Sequence, residues 1–522
     1  MALRSMPTAT GLADDLALRR RVLLAGAVLV AAGAGFSIAD LVFGNGMAAS
    51  ALVALGLAVA IWMAPWTGLL AVMLGATVVE QFTLMSSGSF PDISDQIPLF
   101  RSLASGAGLP GVYASPFEVL LGFALLVWLA RGIANHQLSI PKSKLSLAIG
   151  LFSVFVLFAL VRGGGLRNSL WELRPWMYLV VTYVLSSQLL KTEKHLRVLL
   201  WTFAIGVALK GLQGVILFAL HSTGYRPQSF LEHAESFFFG IFLALTLGLW
   251  LFAERGALRR FMTAMTPLVL ISDMLNQRRT AWAIVALLML ATLLLVFVRM
   301  PQHRRKLAVA VVLMGFASVA YYALFSNHAG FIGQPARAFR SAVFPDARDK
   351  QSNLYRTVEN VDLGIAIRQS TPFGTGFGHQ IPQPVQNVNI TNQDSFIGFV
   401  PHNGVLYVWL RFGLAGAACF WMMIAMAIMM ACEAFRARRG TTMLLAFTVI
   451  LAVLAYVVQG TYDMGFYWFR MAALMGTLLG ALEVARQLPD RSSSEPERPL
   501  SRVVAVPRAA LTPLALSGGR GD

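Results

Sequence analysis

PHNGVLYVWLRFGLAG, residues 401–416, is the stretch from which the rest of the chain is best read. It stands where a long hydrophilic segment, 326–400, gives way to an apolar run, so His402 and Asn403 are set at a membrane boundary with a watery approach. Chemistry is expected there. On either side the chain is mostly hydrophobic. Of its 522 residues 57% are hydrophobic and 13% charged, and the mean hydropathy of +0.65 lies outside the range of globular chains.

The fold class expected is therefore an all-α polytopic membrane protein of about fourteen transmembrane helices, since apolar runs near spanning length recur along the chain. Eleven fall in residues 22–325 and three in 401–486, with one large extracytoplasmic loop, 326–400, between the eleventh and twelfth. Residues 1–21 read as a cytoplasmic amino terminus, whose Arg19, Arg20 and Arg21 precede an apolar run kept as an anchor. Residues 487–522, rich in Pro, Ser and Arg, read as a disordered cytoplasmic tail. The net charge of +17 does not indicate a nucleic-acid partner, because most Lys and Arg sit in short clusters between apolar runs and obey the positive-inside rule. Cys419 and Cys432, on or just past one apolar run, are about 20 Å apart if helical and beyond disulfide reach.

The same alternation places the larger polar segments, 87–113, 162–175, 221–235 and 326–400, on the outer face together with the short turn 276–279. Three basic groups reach that face from different parts of the chain: Arg174 in WELRPW, Arg278 and Arg279 in NQRRTAW, and His402. Two adjacent outer arginines work against the positive-inside rule and call for a compensating anion. A diphosphate fits, because a guanidinium pairs bidentately with phosphate oxygens and stays charged at any working pH. Lipid headgroups, Glu172 or Asp273 are the structural alternatives. A neutral His402 suits proton abstraction from a hydroxyl, against the plainer reading of an interfacial histidine bound to a carbonyl. Arg411 should face away from His402, and with Lys210 and Arg470 it is an intramembrane charge in need of a partner or part of a conduction path. TPFGTGFG, residues 371–378, permits tight backbone approach but lacks the lysine of a phosphate loop. With no D-x-D, H-E-x-x-H or Cys/His cluster, no metal or other cofactor is expected, and arginine would do the work of a divalent cation.

Four stretches together resemble the O-antigen ligase and polysaccharide polymerase superfamily of bacterial membrane glycosyltransferases. They are WELRPWMY (171–178), NQRRTAW (276–282), 355–378 with Arg356 and its PFGTGFG ending, and 401–416 with His-Asn, Gly413 and Gly416. The resemblance implies metal-independent transfer of an oligosaccharide from undecaprenyl diphosphate to a glycan or lipid acceptor, at the outer face of the inner membrane, in O-antigen or exopolysaccharide biosynthesis. It implies that His402 assists the acceptor hydroxyl and that Arg174 and Arg279 hold the diphosphate. Arg278, Asn403, Arg356 and Gly376 would then bind substrate or shape the loop over it. Two departures stand out: Arg411 replaces an acidic residue common in relatives, and Gln277-Arg278 replaces a small residue followed by arginine. The competing class is a polysaccharide-lipid flippase or small-anion transporter, which would depend on Lys210, Arg411 and Arg470 instead.

Overall fold

The computed structural model describes residues 46–81, 99–106, 112–136, 138, 141–220, 230–252, 254–328, 330–385 and 395–489. The described helices of ten residues or more are α1 (Gly46–Met63), α2 (Trp66–Val78), α3 (Pro116–Ala134), α4 (Lys144–Val161), α5 (Leu166–Leu189), α6 (Glu193–Leu220), α7 (Glu235–Leu251), α8 (Ala257–Asn276), α9 (Arg279–Arg299), α10 (Arg304–Phe325), α11 (Gln334–Val343), α12 (Ala347–Gln369), α13 (Gly404–Ala437), α14 (Gly440–Tyr462) and α15 (Phe469–Gln487). No strand occurs among the described residues. Among the described residues seven helical segments are long and apolar enough to cross a membrane: α3, α4, α6, α9, α10 with the turn before it, α13 and α14. Part of α1, with α2 and α7, is apolar but shorter. The other expected runs fall on the more polar α5, α8 and α15. The expected first run, 22–43, and nearly all of the tail lie outside the described residues.

Helix boundaries follow local chemistry. Ser115 and Glu118 close a capping box at the start of α3 with Pro116 at its first position. Asp346 caps α12, and Asn403 caps α13 by accepting from the amides of Val405 and Leu406, both at 3.1 Å. The centre of the bundle is α7, α14 and α15, buried over most of their lengths. Gly476 and Gly480 of α15 bring it against the α5 backbone at Leu179 and Tyr183. There Thr182 and Ser186 donate to the carbonyls of Ala473 (3.1 Å) and Thr477 (2.7 Å), small residues and hydroxyls serving as helix contacts.

Two expectations about the polar segments are revised. Residues 162–175 are not a loop for most of their length: α5 begins at Leu166 and carries Pro175 inside it, so Arg174 projects from a helix. The charges and proline that suggest a loop are accommodated because Glu172 and Arg174 each find a partner across the bundle. The segment 326–400 likewise holds two helices, α11 and α12.

The glycine-rich segment 371–378 threads between α4, α5 and a kink in α13. At Gly413 (φ 69°) the helix breaks, which leaves the carbonyls of Leu410 and Arg411 to accept from the amides of Thr375 (2.7 Å) and Gly376 (3.1 Å). Gly376 itself has φ 78°, and a Cβ there would meet the carbonyls of Ala159 and Arg162, each at 2.9 Å.

Candidate functional site

The site is organised by α12, which crosses near the starts of α9 and α13. Asp349, Asn353, Arg356 and Asn360 recur at helical spacing, with Glu359 beside them, so they form one polar stripe. At one end of the stripe Arg279 donates to Asn353 Oδ1 (3.0 Å) and pairs with Asp349 (3.6 Å). Toward the other end Glu359 accepts from the His402 backbone amide at 3.0 Å. His402 Nδ1 lies 3.2 and 3.3 Å from the two Glu359 oxygens. With Nδ1–H donating to that carboxylate, Nε2 keeps its lone pair for a substrate proton. Asn403 donates to Asn360 at 3.1 Å, one residue further along the stripe. Glu359 is six positions beyond Asn353 on the helix, so the arginine and histidine attachments are about 9 Å apart along the axis, the scale of a sugar and its phosphate.

Tyr355 packs edge-on against His402, ring centroids 5.6 Å apart. Burial and the Glu359 charge push its hydroxyl up to about 12, so it stays protonated near neutral pH. A second imidazole–carboxylate pair lies alongside. His233 Nδ1 is 2.5 Å from Asp463 Oδ2, and the Arg356 charge acts on Asp463.

Arg174 is held differently from the other basic residues. It pairs with Glu118 (2.8 Å) and donates to the Tyr113 carbonyl (2.7 Å), so it is tied to α3 and not to α12. Arg278 precedes α9 as its extended cap residue, after Gln277 in a left-handed conformation, and its charge acts on His233. The structure thus gathers His402, Asn403, Arg279 and Arg356 on the α12 stripe and sets Arg278 toward His233. Gly376 packs on backbone below.

The three intramembrane cations singled out in the sequence, Lys210, Arg411 and Arg470, are each paired. Arg411, fully buried, meets Glu172 at 2.8 and 3.0 Å, and Tyr407 donates to the same carboxylate at 2.9 Å. It faces Glu172 and not Glu359. Arg470 pairs with Glu232 (2.7 Å) and Glu235 (2.5 Å), and Lys210 with Glu80 and Glu235. The partner of Arg174 is Glu118, not Glu172, and Asp273 has neither carboxylate oxygen hydrogen-bonded.

Sequence reading leaves out Glu359, Asp349, Asn353, His233 and Asp463. The first three announce themselves only as a polar stripe at helical spacing. His233 and Asp463 lie 230 residues apart, with no local signal to join them.

Residues 264–421 match the family model described as O-antigen ligase. The match takes in Arg278, Arg279, Arg356, Glu359, His402 and Asn403, three of the four resembling stretches. Arg174 lies before it. A comparison with curated proteins gives no match.

Proposed function

We propose that this chain, whose residues 264–421 match the O-antigen ligase family model, is a membrane glycosyltransferase using undecaprenyl-diphosphate-linked oligosaccharide as donor. The observation that carries the reading is the α12 stripe, which sets a carboxylate-oriented histidine and an anion-binding arginine about a sugar phosphate apart. His402 Nε2 removes the proton from an acceptor hydroxyl as the oxygen attacks the anomeric carbon. The bond to the diphosphate breaks, and Arg279 with Arg278 meets the charge that develops on the leaving oxygens. One displacement inverts the anomeric centre. Arg174 contributes from α5 once an anion competes with Glu118 for its guanidinium.

The arginines supply the charge that a divalent cation supplies in other diphosphate enzymes, so the reaction is proposed to be metal-independent. The site faces the outer side of the bacterial inner membrane in a bundle of about fourteen spans, with 326–400 as the extracytoplasmic segment. Gly374, Gly376 and Gly378, all at positive φ, hold that segment down on the α13 kink and on the facing ends of α4 and α5. Polymerisation of repeat units in O-antigen or exopolysaccharide synthesis is favoured over ligation by the number of apolar runs and the size of the polar segment.

A product analysis tests this. Purified protein in detergent, with chelator present, is given lipid-linked oligosaccharide from the host. Longer lipid-linked chains with released carrier diphosphate mark a polymerase, and transfer to another lipid or protein a ligase. Release that requires a divalent cation would overturn the metal-independent mechanism.

A further inference from the structure

The transferase mechanism above uses one imidazole, yet the structure holds a second beside it. His233 lies in FLEHAE, residues 230–235, immediately before α7. Its loop is pinned to the turn that carries Arg278: Asn276 accepts from the Leu231 amide (3.1 Å) and donates to the Glu232 carbonyl (3.2 Å). From α14, Asp463 takes the His233 Nδ1 at 2.5 Å, while Gln459 donates to the His233 carbonyl (3.3 Å) and to Asp463 (3.4 Å). The Trp468 ring stacks on the imidazole with centroids 6.2 Å apart.

Nδ1 is thus committed to Asp463. The His233 side chain is 34% exposed, which leaves room for its other nitrogen to meet a ligand. The groups that face it from neighbouring elements are Asp463 and Gln459 of the α14 end, Trp468 before α15, Arg278 before α9 and His402 before α13. On its own segment Glu232 and Glu235 are engaged by Arg470.

We propose that His233 and Asp463 form a second acid–base pair of the same site, which takes up a proton as a diphosphate arrives and presents Nε2–H to it. This rests on the transferase reading. Burial and then the Arg278 charge hold His233 below its ordinary range, against the pull of Asp463, so before an anion binds the imidazole is neutral. Burial alone would raise the Asp463 carboxyl, but the hydrogen bond from His233 and the Arg356 charge oppose it and keep it ionised. A diphosphate beside Arg278 removes the repulsion that keeps His233 neutral. The imidazolium then bridges Asp463 and a phosphate oxygen.

In the transfer step the acceptor O–H proton goes to His402 Nε2 while the new C1–O bond forms. The old C1–O bond breaks with its electron pair on the diphosphate oxygen, and His233 Nε2 gives that oxygen its proton. His402 then loses its proton to water, and His233 regains one with the next diphosphate. Base and acid sit on separate histidines, each oriented by its own carboxylate.

The test is calorimetric and needs no turnover. Inorganic pyrophosphate, and separately undecaprenyl diphosphate in micelles, is titrated into the full chain at pH 7 and pH 8, in two buffers of different ionisation enthalpy. Wild type is expected to take up about one proton more per diphosphate than His233→Gln, the ligand's own protonation cancelling in the difference. Its affinity should fall with rising pH by up to about tenfold per unit beyond that of the variant. Asp463→Asn should reduce the uptake as well, and it serves in place of His233→Gln if that variant does not fold.

A merely structural His233 would change melting temperature and leave the proton count untouched. Equal proton counts in wild type and either folded variant would overturn the proposal. If equal counts accompany normal glycan transfer, this inference falls and the transferase reading stands. Proton uptake lost with His233 in a protein that transfers no glycan to any acceptor would support the diphosphate site and sink the transferase reading. Tighter binding of the lipid-linked form than of pyrophosphate would assign the site to the carrier, and equal binding to free diphosphate.

Discussion

Glu359 sets the orientation of His402 through two hydrogen bonds, one to the ring and one to the backbone amide. Glu359→Gln offers an amide that can turn its donor toward Nδ1 and favour the wrong tautomer, so a loss of about a hundredfold in turnover is expected with normal membrane abundance. Turnover measured on purified variant, with donor affinity measured beside it, checks this: the account requires the affinity to change little. The pH dependence has a definite sign. His233 is held low, so before diphosphate binds it is neutral at pH 7; acidification through its lowered value protonates it in advance, and donor binding should lose its pH dependence there. Titrating donor affinity from pH 8 down to pH 5 reads that plateau directly. His402, Arg278 and Arg279 were legible in the sequence because each stands where a polar segment meets an apolar run. Glu359 was not, since it reaches His402 across 43 residues and nothing local in sequence encodes that meeting.

At the scale of elements, α12 acts as a strap and the kink in α13 as its seat. Gly413 is at φ 69°, and a side chain there would run into the Pro372 carbonyl, so Gly413→Ala should destabilise by about 2 kcal/mol or more and loosen 371–378 from α4. Protease sensitivity of that segment in membranes is the readout, and a variant as resistant as wild type would contradict the account. Asn403 has two jobs, since its oxygen caps α13 while its amide reaches Asn360. Asn403→Asp keeps the cap and loses the donor, whereas Asn403→Ala loses both and should cost about 1 kcal/mol more. Thermal melting of the two variants in one detergent separates the roles. The apolar helices were readable from hydropathy, and α5 was not, because Glu172, Arg174 and Pro175 read as loop until their partners on α13 and α3 are known. The helices within 326–400 were hidden for the opposite reason: a polar helix lying over a bundle has no long apolar run to announce it.

Across the whole molecule the buried ion pairs belong to the scaffold. Arg470 draws Glu232 and Glu235 to α15, Lys210 adds Glu80, and Arg411 fixes Glu172, so the charges that suggested a conduction path are accounted for by pairing. Arg470→Gln would remove the buried cation that Glu232 and Glu235 share, a loss of about 3–5 kcal/mol. Folded yield should drop accordingly, while the protein that does fold should retain its donor affinity. The measurement that tests the central claim most directly is release of undecaprenyl diphosphate from lipid-linked oligosaccharide by the purified protein, with wild type beside His402→Ala and Arg279→Ala. The account predicts release coupled to glycan transfer by wild type, and none by either variant at equal folded concentration. Undiminished release by both variants, or an intact wild type that releases nothing with any acceptor, would contradict it.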